Sequence, residues 1–222
     1  MNRMIPIILA AAVIVGGSAY LLLPGGSSDT GDLLPGAALA ADTEAEASAD
    51  PSAIVDMTLG EADAPIEIIE YASYTCPHCQ RFHEGPFKDL KAEYIDTGKA
   101  KFVYREVYFD RPGLWASMVA RCGGEARFFG ITDLIYEQQR EWTQGAPADI
   151  AANLRRIGKT AGLSDAELDV CFSDGDKAQN LVAWYEANAA EDGVNSTPSF
   201  IINGTRYTNM SIDEFRQILD AL

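Results

Sequence analysis

Two cysteines separated by two residues, Cys76 and Cys79, lie in the stretch Tyr74-Thr75-Cys76-Pro77-His78-Cys79. A dithiol at this spacing can close and reopen a disulfide, which makes thiol–disulfide exchange its first candidate chemistry. The run Ile66-Glu67-Ile68-Ile69-Glu70-Tyr71 before it reads as a buried strand, and Gln80-Arg81-Phe82-His83-Glu84 after it opens a helix. That junction puts Cys76 at a helix N-terminus, where unpaired N–H groups and the helix dipole favour a thiolate. Pro77 suits the first helical turn, because no helical hydrogen bond is lost there. His78 adds a donor or a positive charge beside the same sulfur, and Cys79, about one turn further in, is the buried resolving thiol. A well-stabilised Cys76 thiolate leaves a disulfide readily, so the oxidised pair would be a strong oxidant.

Glu70 stands six residues before Cys76 on the strand. Buried there, its carboxyl would have a raised pKa and could relay a proton to or from Cys79. The alternative is an outward-facing carboxylate, and Ile68-Ile69 breaks the alternation that would decide between them. A metal reading also exists: Cys79 and His83 are i, i+4 on the helix, so Cys76, Cys79 and His83 could supply three ligands for copper or zinc. A structural zinc site usually takes four ligands from two such pairs, and only one Cys-X-X-Cys is present. His83 itself reads as an exposed helix residue, and the site is expected to need neither metal nor cofactor.

The run Glu70 to Cys79, with its Cys-Pro-His-Cys, resembles the active-site segment of the DsbA-like thiol:disulfide oxidoreductases, a branch of the thioredoxin-fold proteins. Gly193-Val194-Asn195-Ser196-Thr197-Pro198-Ser199-Phe200-Ile201-Ile202-Asn203-Gly204 is similar to that family's cis-proline loop, last strands and turn. The resemblance covers roughly residues 54–222 and implies an α/β thioredoxin fold with a mixed sheet and an inserted helical subdomain. It implies that Pro198 is cis and faces the redox pair, leaving the Thr197 backbone free to pair with an extended substrate. It places an acid at the position of Glu70. Thr197 itself departs from the Val of the most studied DsbA proteins and is similar to isomerases. The activity implied is a dithiol oxidase acting on reduced or misfolded exported proteins and reoxidised by a membrane partner. A reductase or isomerase on the same fold is the first rival, and the Cys/His metal-binding protein the second.

The elements that must position these residues can be read in order. Ile54–Leu59 is a short first strand and residues 66–71 a central one. One helix should run from Cys76 to Thr97 and stop at Gly98. Residues 101–107 alternate and are rich in aromatic and β-branched side chains, so they form a strand. From about residue 111 to 190 the periodicity turns helical, with apolar stripes and a capping box at Ser164-Asp165-Ala166-Glu167. Ser199–Ile202 and Thr205–Thr208 form a hairpin across Asn203-Gly204. Ser211 caps a last helix over residues 212–222, with Glu214 as its capping-box partner.

The 222 residues carry 33 Asp and Glu against 17 Lys and Arg, a net charge of -16. That balance argues against nucleic acid or an anionic membrane surface as partner. Residues 4–23 hold no charge and, as a helix, would span about 30 Å, the thickness of a bilayer core. After Arg3 no Lys or Arg follows until Arg81, so residues 1–23 read as an export segment with the following chain outside. It is either an uncleaved anchor or a signal peptide cut after Ala38-Leu39-Ala40. Both deliver the domain to the same compartment, which the resemblance implies is the oxidising periplasm, with the domain tethered to the inner membrane or free. Residues 24–53, rich in Gly, Ala, Ser and acids, read as a tether before a domain at 54–222. In such a compartment the remaining cysteines, Cys122 and Cys171, would form a structural disulfide by elimination, with two buried thiols as the alternative.

Overall fold

The computed structural model describes residues 49–222. The expected export segment, and the tether up to residue 48, lie outside the described residues. Residues 50–53, expected to close the tether, are part of the domain. Pro51–Ala53 form a 3-10 turn capped by Asp50, whose backbone N–H donates to Asn180 at 2.7 Å. The first strand is shorter than expected: residues 54–56 stay outside it, and β1 covers Met57–Leu59.

Five strands form one mixed sheet in the order β1-β3-β2-β4-β5. β2 (Ile66–Ala72) runs parallel to β3 (Ala100–Glu106) and antiparallel to β4 (Ser199–Ile202). β1 and β5 (Thr205–Thr208) pair antiparallel at the two edges. β2 is therefore central and covered on both faces. Ile68, Ala72, Phe102, Tyr104 and Phe200 join the main core, and Ile69, Tyr71, Val103 and Ile201 form a smaller core behind it. Two covered faces explain why Ile68-Ile69 interrupts the alternation. Glu70, two residues from both Ile68 and Ala72, shares their face of the strand. The turn between β4 and β5 holds Asn203 and Gly204 at φ 45° and 80°, the left-handed pair that a two-residue hairpin needs.

The helix after the cysteines is not continuous. α1 covers Pro77–Glu84, α2 covers Pro86–Leu90, and a π turn spans Lys91–Ile95. Pro86 causes the break: it has no N–H for the carbonyl one turn back, and its ring disfavours helical geometry at Gly85, found at φ -124° and ψ -96°. Between β3 and β4 lie six helices: α3 (Arg111–Cys122), α4 (Glu125–Glu137), α5 (Gln139–Trp142), α6 (Pro147–Thr160), α7 (Asp165–Ser173) and α8 (Gly175–Glu191). α9 (Ile212–Leu219) closes the chain on the Ser211–Glu214 capping box, shorter than the expected 212–222. Among the described residues no helix is long and apolar enough to cross a membrane.

Candidate active site

Cys76 is the N-cap of α1 and Pro77 its first residue, because β2 ends in the main core and delivers the chain to the open end of the helix. Both cysteines are free thiols, Cys76 half-buried and Cys79 fully buried. A hydrogen bond from Cys79 pulls the Cys76 thiol down to about 5, helped by the Thr197 side chain and the backbone N–H groups of Cys79 and His78, against the opposing effect of burial. Burial pushes Cys79 far above an ordinary thiol, reinforced by its bond to Cys76 and by the charge of Glu70. One sulfur thus favours thiolate and the other thiol. The Cys76 Sγ also donates to the Thr197 carbonyl at 3.6 Å, and the Thr197–Pro198 peptide bond is cis. His78 acts on the sulfur through its backbone N–H. Its ring is exposed and accepts at Nδ1 from the Arg81 guanidinium at 2.8 Å, instead of standing over Cys76 as expected.

Glu70 is fully buried, and its Oε2 lies 2.8 Å from His83 Nε2. His83 was expected on the surface. It is instead 4% exposed, stacked on Tyr136 with centroids 4.4 Å apart. The cause is helix phase: Cys79 and His83 share one face of α1, and that face packs inward. The loop before Cys76 is held by the helical insertion. Gln139 Nε2 donates to the carbonyls of Tyr74 and Cys76 at 2.8 and 3.0 Å, and the Tyr136 hydroxyl donates to the Ser73 carbonyl at 3.3 Å. Thr75 donates to Asp110, which also caps α3 through Gly113 N–H. Sequence reasoning missed Gln139, Tyr136 and Asp110, because partners more than thirty residues away leave no local pattern.

A family model described as Thioredoxin matches residues 52–221. The chain belongs to the thioredoxin family. Within it the DsbA-like branch fits best. A putative protein-disulfide oxidoreductase of Rickettsia bellii is 36% identical over 166 residues, which are 74% of this chain and 63% of the relative. The chain thus spans less than two thirds of that relative's length. Disulfide bond formation protein D of Bacillus subtilis is 24% identical over 186 residues, 78% of this chain and 79% of the relative. The crystal structure of Wolbachia pipientis alpha-DsbA1 superposes with a TM-score of 0.69 at 26% identity, covering 78% of this chain and 94% of that one.

In this thioredoxin-family domain Cys122 and Cys171 are joined as a disulfide, linking the end of α3 to α7 across 49 residues, with Cα atoms 5.9 Å apart. The insertion is tied to the sheet by a second feature the sequence concealed. Arg121 on α3 makes a two-pronged bond to Glu106 at the end of β3, at 2.6 and 2.7 Å, both side chains buried. His83, weighed as a metal ligand with the two cysteines, turns to Glu70, and among the described residues no group of three His, Cys, Asp or Glu side chains is placed to hold an ion.

Proposed function

We propose that the chain is an exported thiol:disulfide oxidase that transfers the Cys76–Cys79 disulfide to other proteins. The observation that carries this is the asymmetry of the pair, a half-buried Cys76 held near 5 beside a buried Cys79 held high. A substrate thiolate attacks Cys76 Sγ. The Cys76–Cys79 bond breaks, its electron pair passes to Cys79, and that sulfur takes up a proton. A second substrate thiolate then attacks the substrate sulfur of the mixed disulfide, and Cys76 leaves as a thiolate. The substrate is oxidised by two electrons and the protein is left as a dithiol. Stabilising the leaving Cys76 thiolate drives this direction.

Glu70 is the proton partner of Cys79. Pro77 and the backbone N–H of His78 set the environment of Cys76. The Thr197 backbone, beside Cys76 Sγ, offers strand-like pairing to an extended substrate segment. Reduced exported proteins are the substrates, and a membrane oxidant returns the dithiol to the disulfide. The uncharged residues 4–23 hold the domain at the membrane or export it, outside the cytoplasm. A reductase or isomerase is the second reading, favoured by the likeness to a protein-disulfide isomerase from Novosphingobium aromaticivorans, with a TM-score of 0.67 and 25% identity. The test is to mix the oxidised protein with a reduced dithiol peptide. Stoichiometric transfer is expected, lost in both Cys76→Ser and Cys79→Ser, neither of which can hold the disulfide. Reduction of a disulfide peptide by the dithiol form, with no transfer in the other direction, supports the second reading.

A further inference from the structure

We propose that His83 is the outer end of a proton route that serves Cys79, passing protons between Glu70 and a cavity beneath α1 that several charged side chains line. The proposal rests on the reading of Glu70 as the proton partner of Cys79. Buried polar atoms are nearly always hydrogen-bonded. Among the described residues two buried side-chain atoms lack a partner, Glu70 Oε1 and His83 Nδ1. They are the two ends of one conduit, Oε1–carboxyl–Oε2 to Nε2–imidazole–Nδ1, closed in the middle by the 2.8 Å contact.

One end belongs with the thiol. Cys79 and His83 are one turn apart on the buried face of α1, and the charge of Glu70 is felt at the Cys79 sulfur. The other end belongs with solvent. His83 lines a cavity of about 530 Å³ together with Glu84, Lys88, Lys91, Asp133 and Glu137. A cavity with so many charged groups is a place for water. Burial holds the Asp133 carboxyl above its usual range, opposed by His83 and the nearby lysines. From the other side Tyr104 and Tyr136 flank the ring, and burial keeps both phenols protonated.

The transfer balances. When Cys79 attacks a mixed disulfide on Cys76, its proton goes to the Glu70 carboxylate at Oε1, the carboxyl hands a proton on through Oε2 to His83 Nε2, and His83 gives up the proton on Nδ1 to the cavity. A Cys79–Cys76 bond forms, the outgoing thiolate keeps the electron pair, and no further oxidant is needed. His83 is a positioning residue in this scheme, acting through Glu70.

The test uses the full chain and the mixed disulfide of Cys76 with glutathione, following glutathione release against pH. His83→Gln keeps a polar contact to Glu70 but cannot pass a proton. Release is expected to slow about tenfold or more and to lose the pH dependence of the wild type, while the pH profile of Cys76 alkylation stays unchanged. Glu70→Gln is expected to slow release as much. A wild-type rate in His83→Gln beside a slow Glu70→Gln overturns the role of His83 and leaves that of Glu70. Wild-type rates in both remove the Glu70 reading as well. A slow His83→Gln with an unaltered pH profile means lost packing, and also overturns the proposal. If the variant does not fold, the wild type decides. The chain has 2 histidines, so the ring nitrogens of His83 can be assigned by NMR, and their shifts must change when the Cys76–Cys79 disulfide is reduced. Unchanged shifts contradict the route.

Discussion

At the scale of single residues the chemistry rests on Cys76. With the thiol lowered from 9.0 to about 5, alkylation of the reduced protein should titrate near 5. Cys79→Ala removes the largest lowering influence, so the inflection should move up toward an ordinary thiol. The same shift acts on stability. A group whose pKa is depressed by folding stabilises the folded dithiol fully above its unfolded pKa and loses that contribution as pH falls through the folded value. Between about pH 8 and 5 the melting temperature of the reduced form should therefore fall relative to the oxidised form, which has no thiolate at this position. A constant difference across that window contradicts the assignment. Cys76, Pro77 and Cys79 were legible because a spacing and a strand-to-helix junction are local signals. The inward turn of His83 was not, since it depends on helix rotation against β2 and α4. Nor was the partner of the His78 ring: Arg81 lies one turn on, but a sequence does not show whether an exposed imidazole will turn to it or to the sulfur.

At the scale of elements, the insertion and the sheet are joined by the Glu106–Arg121 pair and stiffened by Cys122–Cys171. Breaking a buried ion pair strands a charge. Arg121→Leu should cost about 3–5 kcal/mol in urea unfolding. Adding Glu106→Gln should recover part of that loss, because no unpaired charge then remains. Equal stability of the single and double variants contradicts a buried charge penalty. Replacing Cys122 and Cys171 by serine opens a loop of 49 residues and should cost about 3–4 kcal/mol in the chain-entropy picture, with the Cys76–Cys79 exchange equilibrium unchanged. A shift in that equilibrium would give the second disulfide a functional part. Strand and cap signals were readable here: the Asn203-Gly204 hairpin and the Ser164 and Ser211 capping boxes stand where their residues place them. The break at Gly85-Pro86 was also written in the sequence, and apolar periodicity running through it concealed it. The pairing of Glu106 with Arg121 was not legible, because no local pattern pairs residues 15 apart.

At the scale of the whole molecule, a thioredoxin-family sheet supplies the cysteine pair and the cis-proline loop, while the inserted helices hold the active-site loop through Gln139, Tyr136 and Asp110. The two halves of the site come from positions more than a hundred residues apart and meet because β2 and β4 are neighbours. The net charge of the chain, -16, argues against attraction to anionic partners. The central claim is that this arrangement makes the dithiol the favoured state of the pair, so that its disulfide is given away. The direct measurement is the equilibrium of Cys76–Cys79 in glutathione buffers at pH 7. The account predicts a potential above about -200 mV, on the oxidising side of glutathione. A value near or below about -270 mV, that of a disulfide reductant such as thioredoxin, contradicts it.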